Sequence, residues 1–364
     1  MSLPPPDYGY LLGLIDDTGI FEHSLYGVPR REHGYTVDDA SRGLVILCAA
    51  PDVEPIRAAT RTLLAFILDS LTRAGWFRNR LSFDRQWAHE PRTDDTQGRA
   101  IWALCVAATT AHRPELREAA ASALAEIQPL ETEHLRPLTY AALGAEALWR
   151  PDHNDPLATH LAKPIVDRLW VMPGLWPEPR LTYANGRIPA AMLAAGTVCD
   201  DTDLVEHGLQ TLSWLVTTET RDGHFSFTPV GGWASEEPRP GFDQQPVEAA
   251  AMSDACERAW VITGEDHWKQ SVLRCGEWLL GANDSGVPLY DQSSGATADG
   301  LMREGVNGNR GAESTISGLE VLQACSRVVT DRRPSSRPSP DHLGPDLTEA
   351  TAHRHPGQEA QHQP

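Results

Sequence analysis

The chain is short of basic residues, of paired cysteines and of long apolar runs. Against 50 Asp and Glu it carries 31 Lys and Arg, a formal net charge of -19 over 364 residues. A phosphate backbone must be neutralised by cations, so nucleic acid is excluded as the expected partner. The same acidic field repels anionic substrates and suits neutral ones such as sugars. No stretch approaches the roughly 20 apolar residues that span a bilayer, and the start, MSLPPPDYGYLLGLIDD, lacks the basic-then-apolar order of a secretory signal. A membrane role is therefore not expected, and the expected location is the cytoplasm. The six cysteines form no CxxC pair. Cys48, Cys105, Cys256, Cys275 and Cys325 fall inside helical patterns and Cys199 near a helix end, so they read as small buried hydrophobes of a reducing compartment. HExxH, a GxSxG elbow, a DxDxDG loop and a phosphate loop with its Lys and Ser/Thr are all missing. Neither a metal nor a cofactor is expected. Sustained period-2 alternation is missing too, which leaves an all-α chain.

What is present is a repeated event. Polar, acid-rich turns run straight into small-residue helices at GYTVDDASRGLVILCAA (34–50), DDTQGRAIWALCVAA (94–108), RPLTYAALGAEAL (136–148), RLTYANGRIPAAMLAAG (180–196), FDQQPVEAAAMSDAC (242–256) and NRGAESTISGLEVLQAC (309–325). A repeat roughly every 40–70 residues signals stacked helical hairpins. These helices are apolar on most faces, as buried helices are. Between them lie amphipathic candidates at 54–74, 114–127, 156–170, 202–218 and 265–281, with Pro55, Pro114 and Pro156 near their starts. An inner ring of buried helices wrapped by an outer amphipathic ring predicts an (α/α)6 toroid, as one domain over 1–332. The sixth outer helix would have to come from a short segment around 5–16, so an open solenoid is the structural alternative. From 333 onward the chain is rich in Pro, Ser, His and Gln and reads as a disordered tail.

In a toroid every inner helix starts at one rim, so long loops at 76–93, 171–184, 220–242 and 282–311 should gather there. Asp38-Asp39 and Asp94-Asp95 open the first two inner helices. One Asp suffices as a cap, which leaves the second of each pair for another task. Arg42 and Arg99 follow at one-turn spacing, where a guanidinium can keep a carboxylate ionised. Loop Trp87, Trp176 and Trp233 are candidates to stack on sugar rings. Glu178, Arg180 and Tyr183 precede the fourth inner helix. Asp243, Gln244, Gln245 and Glu248 surround the start of the fifth, and Asn307 and Glu313 that of the sixth. A carboxylate such as Glu248 on so apolar a helix needs a partner or an altered pKa.

The ordered motifs GYTVDDASRGL, LSFDRQW, EPRTDDTQGRAIWAL, WPEPRLTYANGRIPAAMLAAG, FDQQPVEAAAMSDAC and GVNGNRGAEST resemble a group of six-hairpin-glycosidase-like proteins. These occur alone or appended to glycosyltransferase domains and often carry the label glycosyltransferase. The resemblance covers about residues 7–325. It implies the toroid and a role in carbohydrate metabolism, and it carries over Asp38, Asp39, Asp94, Asp95, Glu178, Arg180, Asp243, Gln244, Gln245, Asn307 and Glu313. Where that group has a Cys-Thr-Asp-Asp-Asn-like run, this chain has TVDDAS, with Ala40 and Ser41 in the neighbourhood of the amide. No nucleotide-sugar-binding domain precedes the toroid here, which weakens the transferase label.

The expected function is glycoside hydrolase-like action on an oligosaccharide or glycoside in a central cavity. Cleavage of that kind needs two carboxyl groups flanking the scissile bond. Glu313 and Asp39 are the expected pair, with Asp95, Asp243 and Glu248 in reserve. Asp38, Arg42, Asp94, Arg99, Glu178, Arg180, Tyr183, Gln244, Gln245 and Asn307 would bind hydroxyls. The alternatives are a catalytically inactive sugar-binding or regulatory module, a glycoside phosphorylase or glycosyltransferase-associated activity, and a sugar epimerase. Histidine bases suit an epimerase, and His33 and His224 are the loop histidines near the motifs.

Overall fold

In the computed structural model, residues 3–150, 155–169 and 174–332 are described. The predicted tail lies outside them. A single turn, α1 (Gly9–Gly13), opens the chain, and then inner and outer helices alternate. They run α2 (Val37–Cys48), α3 (Glu54–Ser70), α4 (Asp94–Thr110), α5 (Pro114–Leu124), α6 (Leu135–Leu148) and α7 (Pro156–Leu169), followed by α8 (Arg187–Cys199), α9 (Thr202–Thr218), α10 (Pro246–Thr263), α11 (Asp266–Leu279) and α12 (Ala312–Val329). The even-numbered helices contact one another in sequence, and α12 packs back on α2. That contact closes the ring and excludes the open solenoid. The predicted sixth outer helix is α1, packed on α12 and α3.

The small residues of the inner ring let backbones approach. A Cβ on Gly98 of α4 would sit 2.5 Å from the Pro137 carbonyl oxygen of α6. One on Gly186 would sit 2.4 Å from the backbone of Ala251 in α10. Apolar side chains fill the space between rings, with Leu44 and Leu47 of α2 clustering with Leu63, Leu64 and Ile67 of α3. The cysteines are free, five buried and Cys199 half-buried. The inner helices are less uniformly apolar than their Ala and Gly content predicts. Arg187 of α8 pairs with Asp254 of α10 at 2.8 Å and with Glu320 of α12 at 2.7 Å. Arg258 of α10 pairs with Asp254 and with Glu146 of α6. Four inner helices are thus cross-linked by ions deep inside the ring.

The rim loops are tied together by two-residue antiparallel ladders. Tyr35–Thr36 pairs with Arg80–Leu81, and isolated bridges join Leu25 to Asn309, Leu181 to Trp233 and Gln244 to Leu301. Each bridge spans a long stretch of sequence, so the mouth is a fixed collar. Among the described residues no helix is long and apolar enough to cross a membrane.

Candidate active site

The first inner helix is capped by Thr36, whose hydroxyl accepts the Asp39 N–H at 3.1 Å. Thr93 caps α4 in the same way through Thr96. The acid pairs are therefore not the caps, and both members of each are released for other contacts. Asp39 is buried and accepts from the Thr36 hydroxyl at 2.7 Å. Its other oxygen takes Arg42 Nη1 at 2.8 Å, while Arg42 Nη2 reaches Glu313 at 2.5 Å. One guanidinium thus joins the starts of α2 and α12 and holds both carboxyl groups. Asp38 turns the other way, accepting from Asn79 Nδ2 at 3.1 Å and meeting Arg99 at 3.4 Å.

Thr36, Asp38, Asp39, Arg42, Asn79 and Glu313 line a cavity of about 240 Å³ together with Glu22, His23, Arg80, Gln245 and Asp299. Burial pushes the Asp39 carboxyl up to about 6; Arg42 opposes this and the Glu313 charge adds to it. Glu313 is the more open of the pair, with 38% of its side chain exposed. Two carboxyl groups in unlike environments on one cavity wall can divide proton donation and acceptance between them.

A second basin of about 460 Å³ lies beside the starts of α4 and α6. Asp95 lines it and bonds to the Tyr183 hydroxyl at 2.5 Å and to Arg99 at 3.2 Å. Glu178 also lines it, held by buried Arg136 at 2.9 Å. Asp94 sits half-buried in the first turn of α4.

Other predicted site residues are used elsewhere. Buried Glu248 accepts the backbone N–H groups of Ala184 and Asn185, the latter at 3.0 Å, and so clamps the loop before α8. Burial first, and then the charge of Glu219, pushes its carboxyl far above the ordinary range. Gln244 is fully buried, with its carbonyl accepting from Phe227 and Trp278 and its amide donating to Gly241 and Asp284. Gln245, not Gln244, reaches the cavity. Asp243 is exposed and lines neither basin. Arg180 pairs with Glu237 at 3.0 Å, and Asn307 accepts from the Asn309 N–H in its own turn. The three loop tryptophans cover scaffold. Trp87 packs on Phe66 under the Arg78 guanidinium, and Trp176 packs on Trp214 of α9. Trp233 donates to the Glu237 carbonyl at 3.0 Å.

Glu22, His23, Asn79 and Arg80 were not legible as site residues, because irregular segments deliver them. Arg80 forks onto Glu22, with one bond of 3.0 Å. Asn309 accepts the Ser24 N–H through its oxygen, so its amide donates to His23 Nδ1 at 3.2 Å and places the ring proton on Nε2. The His23 and His33 rings meet edge to face at 4.6 Å. His224, by contrast, is bonded to Asp284 at 2.9 Å. Ligand-type atoms of Glu22, His23 and His33 lie within 4.8 Å of one another. Arg80 already pairs with the Glu22 carboxylate and Asn309 with His23 Nδ1, while His33 Nε2 is buried without a hydrogen-bond partner among the described residues.

No known protein family and no curated protein matches the chain. Solved structures do. A sugar epimerase from a ruminal bacterium superposes with a TM-score of 0.66 at 14% identity, over 87% of this chain and 94% of that one. A D-mannose isomerase gives 0.66 at 13% identity, over 88% and 94%. An α-mannanase of Bacteroides thetaiotaomicron gives 0.59 at 10% identity, over 87% and 92%. At such identities the likeness establishes the fold, the (α/α)6 toroid.

Proposed function

We propose that this protein is a carbohydrate-active enzyme that cleaves a neutral glycoside at the Asp39–Arg42–Glu313 wall. The observation that carries the reading is the unequal carboxyl pair on one guanidinium. Asp39, with its pKa raised to about 6, is suited to give a proton to the leaving oxygen. Glu313, open to the cavity, is suited to act as base or nucleophile. Arg42 orients both, and Asp38, Gln245 and Asn79 offer hydrogen bonds to hydroxyls. The sugar-acting names of the fold neighbours support the substrate class.

A second reading is sugar epimerisation or isomerisation. It is favoured by His23, which lines the same cavity with its ring proton on Nε2. An array of aryl glycosides, oligosaccharides and free aldoses, assayed with and without inorganic phosphate, separates these. Released reducing sugar without phosphate supports the hydrolase. Conversion of a free aldose to its epimer or ketose supports the second reading, and sugar-phosphate release would point to phosphorolysis. Binding with no product from any member of the array would reduce the protein to a sugar-binding module.

A further inference from the structure

We infer that the second basin is a subsite for a second sugar unit, so that the natural ligand is a disaccharide or longer rather than a single ring. This rests on the first cavity being the reacting site. The first cavity, about 240 Å³, falls below the ~300–1,000 Å³ of ordinary small-molecule pockets and suits one small ring. The second, about 460 Å³, shares the same rim. A single buried guanidinium separates them, since Arg99 meets Asp38 of the first cavity and Asp95 of the second.

The second basin is built to meet hydroxyls. Arg136 is buried, and its guanidinium is fixed by Glu178, Thr182 and the Tyr183 carbonyl at 2.9, 2.9 and 2.7 Å. Its bonds therefore hold the wall and leave it no role as an anion trap. Glu178 Oε2 is left buried without a hydrogen-bond partner among the described residues. A buried acceptor without a partner costs about 1–3 kcal/mol, so it favours an incoming O–H donor. Tyr183, 38% exposed and anchored by its hydroxyl to Asp95, offers a fixed ring face. C–H groups of a sugar stack on such a face. The carboxylates Glu133, Glu178 and Asp95 on the wall outnumber its guanidinium groups, Arg136 and Arg168, which disfavours a phosphorylated unit.

Titration calorimetry with glucose, mannose, cellobiose and 1,4-mannobiose tests this on the full chain. The expected result is that a disaccharide binds about tenfold or more tightly than its own monosaccharide, as one or two added hydrogen bonds allow. Glu178→Gln and, separately, Tyr183→Ala should each remove most of that advantage while leaving the monosaccharide affinity within about twofold. Thermal melting confirms that each variant is folded, and Tyr183→Ala, at a partly exposed position, serves if Glu178→Gln is not. Equal affinity for the one- and two-ring ligands, or an advantage that survives in both variants, overturns the subsite and leaves the glycoside reading standing. Absence of binding by all four sugars overturns both.

Discussion

Two ionic clusters sit in the same inner ring and do different things. Deep in the toroid, Arg187, Arg258, Asp254, Glu146 and Glu320 are paired helix to helix, with Arg187 and Arg258 each almost wholly buried. Neither basin touches any of them. At the rim, Asp38, Asp39, Arg42, Glu313 and Asp95, with buried Arg99 between Asp38 and Asp95, carry the same chemistry, yet those carboxyl groups and Arg42 line open volume and Asp39 has a raised pKa. Arg99 Nε and Glu178 Oε2 are left without hydrogen-bond partners there among the described residues. Charge alone does not mark a site. Charge that is incompletely satisfied beside a cavity does.

The deep cluster should show the largest effect. Arg187→Ala leaves Asp254 and Glu320 short of a buried cation and should cost about 3–5 kcal/mol in urea denaturation. A loss under about 1 kcal/mol would mean that the deep network is no scaffold. Next comes the close approach that places the rim. Gly98→Ala puts a Cβ against the Pro137 backbone and should cost about 1–3 kcal/mol. An unchanged melting temperature would show that α4 and α6 can separate freely.

Glu248 belongs with the scaffold by burial and with the rim by position, so pH sharpens its assignment. Its folded pKa is raised above the ordinary carboxylate value, by burial and then by Glu219. The folded state therefore holds a proton that the unfolded chain has lost. Its contribution to stability is complete below the ordinary value, near ~4.3, and is lost as pH rises through the raised one. The melting temperature should fall more steeply with rising pH in the parent protein than in Glu248→Gln. Identical slopes would place the carboxyl in water. The smallest effect is expected at Trp87. Trp87→Ala should lower stability by about 1 kcal/mol through lost packing on Phe66 and leave sugar affinity where it was. A collapse of affinity would return Trp87 to the mouth.

The residues of the first cavity legible from sequence share one property: they stand at the cap or in the first two turns of a small-residue helix. There the chain direction settles where a side chain goes, which is why Asp38, Asp39, Arg42, Gln245 and Glu313 reach the cavity. Loop aromatics carry no such constraint. A Trp that covers an outer helix and a Trp that faces a cavity have the same neighbours in sequence, and Trp87 and Trp176 prove to be of the first kind. Glu22 and Arg80 escape for the opposite reason. The ladder between Tyr35–Thr36 and Arg80–Leu81 and the single bridge from Phe21 to Tyr35 bring them together, and pairings this short leave no periodic trace. The deep ions escape because Asp254 and Arg258, one turn apart on α10, read like any surface pair.

In the proposed mechanism the rim pair reacts and the deep ions only hold. Turnover and melting temperature of Asp39→Asn and Glu313→Gln, measured together on the best substrate of the array, test that most directly. Each substitution should cut turnover by about 10²–10⁴-fold with little change in melting temperature, and parent turnover should fall as pH rises through about 6, where Asp39 loses its proton. Full turnover in both variants, with the pH profile unmoved, would contradict it.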